Sequence, residues 1–138
     1  MKKTYTLALI LMSFFGCFSP EGNNEVANLE IRISNISRFN YENIKVNASG
    51  ETVYFGNLNS NSKSEYKTFD VAYRYVFVEF QIDGETFTLQ PIDYVGETPL
   101  GNGKYSYEID IDPNSQFQKV MLKLKHENLC RIKKALVF

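Results

Sequence analysis

The chain has no tryptophan, one histidine, two cysteines and four prolines among its 138 residues. Each scarcity narrows what it can do. A zinc site takes three or four nitrogen and sulfur ligands. His126, Cys17 and Cys130 are too few once Cys17 has another use, and no metal or cofactor is expected. Acid–base and nucleophilic catalysis need groups that share and relay protons. Here a lone histidine stands near the C-terminus, no serine or cysteine sits in a nucleophile-elbow context, and no glycine-rich loop precedes a helix. The expectation is a protein that is not an enzyme. Long helical periodicity is also missing, as is any apolar run near the roughly 20 residues that cross a bilayer.

The start of the chain carries an address. Lys2 and Lys3 precede a mostly apolar stretch, Thr4 to Phe15, and Gly16 and Cys17 follow. A basic start, an apolar middle and a small residue before a cut are the layout of a secretory signal. Phe14-Phe15-Gly16-Cys17 resembles the lipobox of bacterial lipoproteins, with Phe14 where that family usually has Leu. The resemblance implies cleavage between Gly16 and Cys17, acylation of Cys17, and a lipid anchor in a bacterial cell envelope, at the outer membrane. Several acyl chains on one residue hold a protein firmly, at ~0.8 kcal/mol per buried methylene. A disulfide between Cys17 and Cys130 is the alternative use of the same thiol.

These readings divide the chain into a signal peptide (1–16), a lipidated tether (17–28), a sandwich domain (29–126) and a tail (127–138). Ser19, Pro20, Gly22, Asn23 and Asn24 favour loop in the tether. The mature chain has room for one domain. Its formal charge of −3 gives no reason to expect nucleic acid, but the charge is uneven: −8 from Cys17 to Gln116 and +5 from Phe117 onward. The basic end is either a patch for acidic lipid or an acidic partner, or ordinary cross-strand chemistry. The tail residues Leu129, Ile132 and Leu136 suggest a helix turn or a last edge segment.

Alternation of period two recurs through the body. "NLEIRIS" places Leu29, Ile31 and Ile33 on one face. Ser49-Gly50 is a two-residue hairpin tip that sets Val46 opposite Val53 and Ile44 opposite Phe55. Asp83-Gly84 sets Phe80 opposite Phe87 and Val78 opposite Leu89, keeping apolar residues on one face. Around "DPNSQ", Ile111 would face Val120, Ile109 Leu122 and Tyr107 Leu124, with charge pairs Asp112–Lys119 and Glu108–Lys123 on the other face. Seven to eight short strands without a long helix predict an all-β, antiparallel immunoglobulin-like β-sandwich. "LGNGKYSY" fits the Leu-x-x-Gly-x-Tyr spacing of a tyrosine corner, which assigns to Tyr105 a hydrogen bond back to the preceding loop.

With these features the chain resembles the small lipoproteins with immunoglobulin-like sandwich domains that are common in Bacteroidota, most of which have no assigned reaction. The resemblance implies a membrane-anchored, non-enzymatic module that meets another envelope protein. The alternative is a lipoprotein that binds a small ligand or glycan through the 91–103 loop. Tyr73, Tyr75 and Tyr94 are the candidate binding surface. Tyr73 and Tyr75 alternate with the Val76–Phe80 apolar face, so their strand is either covered on both sides or shows an aromatic strip. Asp110, Asp112 and Asn114 resemble the start of a calcium loop, but Ser115 stands where its glycine belongs. A charged strand end entering a turn explains the same residues.

Overall fold

A computed structural model describes residues 28–92 and 96–127. Eight strands are present: β1 (Leu29–Asn35), β2 (Tyr41–Ala48), β3 (Glu51–Leu58), β4 (Lys67–Phe69), β5 (Phe77–Ile82), β6 (Glu85–Leu89), β7 (Gly103–Ile111) and β8 (Val120–His126). They form two four-stranded sheets, β4-β1-β7-β8 and β3-β2-β5-β6. The described chain is thus an all-β sandwich, with no helix. One feature departs from the antiparallel expectation: β1 runs parallel to β7, from Leu29↔Gly103 to Asn35↔Ile109. The two strands lie more than seventy residues apart in sequence, so no local turn signal announces their pairing.

Period-two patterning explains most of the core. Ile31, Ile33, Tyr107, Ile109 and Val120 line the inner face of the first sheet, and Val46, Val78 and Phe80 that of the second. All are buried, and truncating such a residue typically costs 2–5 kcal/mol. Tyr41 reaches across the layers: its ring lies 4.1 Å from that of Phe80, and its hydroxyl donates to the Ile109 carbonyl at 3.3 Å. Burial pushes that hydroxyl's pKa up to about 12, so it remains a donor at neutral pH.

The hairpin registers separate what a turn fixes from what a strand can hide. Asp83 and Gly84 both have positive φ, as the tightest hairpin turns require. Phe80↔Phe87 and Val78↔Leu89 pair as expected. Ile111↔Val120, Ile109↔Leu122 and Tyr107↔Leu124 do as well. In the β2–β3 hairpin Val46 meets Val53, but Ile44 meets Gly56 instead of Phe55. The cause is a pair of bulges. Gly56 (φ 73°) marks an extra residue in β3, and Asn43 (φ 52°) marks one in β2. Because of the second bulge, Tyr41 and Ile44 both enter the core, although three positions apart they would face opposite ways on a regular strand.

The loop that joins β1 to β2 is organised by one buried amide. Asn35 Nδ2 donates to the Phe39 and Asn59 carbonyls at 2.7 and 3.1 Å, while its Oδ1 accepts from Ser37 N and Oγ. A buried amide satisfied on both sides fixes one geometry, since leaving either side unpaired costs ~1–3 kcal/mol.

Candidate functional site

Both sheets end in an open edge on the same side of the sandwich. β6 is the last strand of one sheet and β8 the last of the other, each bonded on one flank only among the described residues. Between them runs a groove of about 690 Å³, floored by Phe87, Leu89, Val120 and Leu122. At one end Lys119 bridges the sheets, 3.9 Å from Glu85 and 5.7 Å from the centre of the Phe87 ring. At the rims Ile92 and Phe117 are fully exposed, at 100% and 101%. Two large apolar side chains left in water beside an unpaired strand edge are uncommon on a monomer surface.

The sequence-predicted site residues fall on this map unevenly. Tyr73 and Tyr75 are not on a strand, because β5 begins only at Phe77 and residues 70–76 form the loop from β4. Tyr75 is 44% exposed and lines the far end of the groove. Tyr73 and Tyr75 also border a cleft of about 160 Å³ against the Ser49-Gly50 turn. Tyr94, like Gly16, Cys17, Cys130 and the tail from 128 onward, lies outside the described residues. From the 91–103 loop, Pro91, Ile92 and Glu97 line the groove. Glu97 keeps one enclosed carboxylate oxygen with no hydrogen-bond partner among the described residues.

Among the described residues the β7 tyrosine hydroxyl that bonds a loop is that of Tyr107, not the expected Tyr105, and the loop is the one between β4 and β5 rather than the one before β7. The Tyr107 hydroxyl donates to the Tyr73 carbonyl, and Leu100 N donates to the Ala72 carbonyl at 2.8 Å. Together these bonds lock the 70–76 and 97–102 loops to β7. Burial raises the Tyr107 pKa well above its ordinary value, and the Glu97 carboxylate raises it further. Tyr105 instead stacks on His126, with ring centres 4.6 Å apart. The two-residue offset is one full strand period, so both tyrosines face the same way and spacing alone does not separate them.

Two expected charge pairs also resolve differently. Glu108 and Lys123 are opposite in register, but Glu108 pairs with Lys125 at 3.8 Å. Lys119 turns to Glu85 across the groove while Asp112 Oδ1 accepts from Asn114 N at 3.0 Å, closing the turn. β8 starts at Val120, so the β7–β8 connection spans 112–119 and is longer than the five-residue turn read from the sequence. Asp110 Oδ1 accepts from Ile111 N. The aspartates are thus engaged in local backbone bonds, and no group of three His, Cys, Asp or Glu residues that could hold a metal occurs among the described residues.

Sequence reasoning missed a polar cluster on the outer face of the first sheet. Arg32 Nε donates to Ser106 Oγ at 3.0 Å, Arg32 Nη2 donates to Glu127 Oε1 at 3.0 Å, and Ser106 Oγ donates to the same oxygen at 2.8 Å. The cations of Arg32 and Lys104 both approach the Tyr66 ring, 4.7 and 4.8 Å from its centre. A serine beside a carboxylate has the parts of a nucleophile and base. Here the hydroxyl is buried and bonded in both directions. The Ser106 hydroxyl, then the Arg32 guanidinium, hold the Glu127 pKa below its ordinary value, which makes it a weak base. The cluster clamps the end of β8 to β1 and β7. Its only sequence signal is that Arg32 and Ser106 occupy outward positions of patterned strands.

No family model and no curated protein matches the chain. Among solved structures it is similar to the NMR structure of a protein from Eubacterium rectale, with a TM-score of 0.53 and 21% identity over 79% of this chain and 99% of that one. At that identity the likeness speaks for the fold alone.

Proposed function

We propose that the protein is a lipid-anchored envelope lipoprotein, acylated at Cys17, whose sandwich is a non-enzymatic module for binding another envelope protein. The observation that carries the interaction half of this reading is the β6–β8 groove. An extended segment can add to an unpaired strand edge through its backbone and set alternate side chains into the apolar floor. The anchor half rests on the lipobox resemblance, together with the Bacteroidota lipoprotein likeness. The fold neighbour comes from a bacterium outside that group and supplies no lineage.

The exits of the chain suit such a tether. Asn28 O accepts from Gly103 N at 3.1 Å and Glu127 N donates to Lys104 O at 2.8 Å. The segment leading to Cys17 and the basic tail therefore leave the same end of the first sheet. A membrane at that end would leave the 112–119 loop, with Phe117, on the far side.

The test is affinity capture from solubilised envelope with the wild-type chain and with Phe117→Glu/Ile92→Glu. A stoichiometric protein captured by the first and lost by the second supports the reading, while equal capture by both removes the groove from it. A second reading has Tyr75, half-exposed at the groove's end beside Pro91, as part of a small-ligand or glycan site. Binding on a glycan array that Tyr75→Ala abolishes, with no protein captured, would favour it.

A further inference from the structure

We infer that the β6–β8 groove is the docking site of this chain's own C-terminal segment, residues 128–138. This goes beyond the interaction reading and does not depend on it, because the segment can occupy the groove whether or not a partner exists.

The topology delivers the segment to the groove's open end. The 90–102 connection runs from the end of β6 to the start of β7, and His126 pairs with Tyr105 near that start. β8 therefore ends on the same side of the domain as Ile92. Eleven residues follow Glu127. At about 3.3 Å per extended residue they reach ~36 Å, against ~23 Å for the whole of β8. A segment turning back at Glu127 can run the full length of the groove.

Composition matches the site. Leu129, Ile132, Ala135, Leu136, Val137 and Phe138 make more than half of the segment apolar, unlike a sequence made to stay solvated. The groove offers an apolar floor and the exposed Ile92 and Phe117. Charge agrees as well. The segment carries Arg131, Lys133 and Lys134, while the groove, among the described residues, carries Glu85 and Glu97 against a single cation, Lys119, already beside Glu85. The Glu97 oxygen that has no partner among the described residues is a natural acceptor for one of the three. Covalent linkage does the rest: a short tether gives millimolar effective concentration, so even a weak contact is populated. A protein partner using the same groove must displace the segment, which makes it a built-in competitor.

The absence of tryptophan makes the test direct, since Phe117→Trp installs a lone indole at the rim that can be excited apart from the nine tyrosines. In the otherwise intact chain the emission should be blue-shifted and weakly quenched by acrylamide. Adding Leu136→Asp/Phe138→Asp should shift it to the red and raise the quenching constant several-fold. Deleting 128–138 should do the same, and a synthetic peptide of 128–138 should reverse the change saturably. Hydrogen exchange on the unsubstituted chain gives a second readout: the β6 amides not bonded to β5 should be protected with the segment and lose protection without it. Equal accessibility of the tryptophan with and without the segment, or equal β6 protection, overturns the inference. Protection that fades on dilution also overturns it, because the occupant is then a second copy.

Discussion

Tyr107 and Tyr105 show how much one hydroxyl's position decides. Tyr107 is fully buried and donates to the Tyr73 carbonyl. Tyr107→Phe should therefore cost ~1–3 kcal/mol, the range for leaving a buried group unpaired. Tyr105→Phe keeps its stacking on His126 and should cost under ~0.5 kcal/mol. Denaturant melts of the two variants give the order, and a larger loss for Tyr105→Phe would contradict it. Glu127 carries a pH dependence with a definite sign. Its folded pKa is depressed by Ser106 and then Arg32, so its contribution is present above the unfolded value, about 4.3, and is lost as pH falls through the lower folded value. Glu127→Gln should lower the melting temperature at pH 7, and the difference from wild type should shrink progressively below about pH 4. A difference that is constant from pH 7 to pH 3 would mean the clamp does not depend on the carboxylate's charge.

At the scale of elements, hairpins were legible and bulges were not. Asp83-Gly84 set a register because its turn geometry is demanding and both flanking strands kept strict alternation. The Ile44–Phe55 pairing failed because a bulge inserts one residue without a distinctive side chain. Gly56 and Asn43 look ordinary until their positive φ angles are known. The parallel β1–β7 pair was hidden for a different reason, since a long-range pairing leaves no turn to read. The groove was illegible for the same cause: its two walls belong to edge strands of different sheets. What the sequence did show of it was the 91–103 loop at one rim and Tyr75 at its end. Gly56 offers a clean test of the β3 bulge. No atom lies within 4 Å of the position a Cβ would take at Gly56 or at Gly101, but only Gly56 has positive φ. Gly56→Ala should destabilise by about 1 kcal/mol and Gly101→Ala by less than ~0.5 kcal/mol, read by thermal or denaturant melts. Equal effects would mean that β3 relaxes its bulge at no cost.

On the scale of the whole molecule, the proposed reading is of a tether, a sandwich and an open edge. The sandwich is held by two apolar faces, the Tyr41 bridge between layers and the Arg32–Ser106–Glu127 clamp. In the proposed reading the edge is where this molecule gains by contact, and a lipid tether at Cys17 decides what it meets there. The most direct measurement is fractionation of cells expressing the wild-type chain and Cys17→Ala, with the mass of the mature N-terminus determined. The account predicts that the wild type sediments with membranes and begins at an acylated Cys17. The variant should be released to the soluble fraction or keep residues 1–16 uncleaved. A Cys17→Ala chain that is cut normally and stays in the membrane would contradict the account.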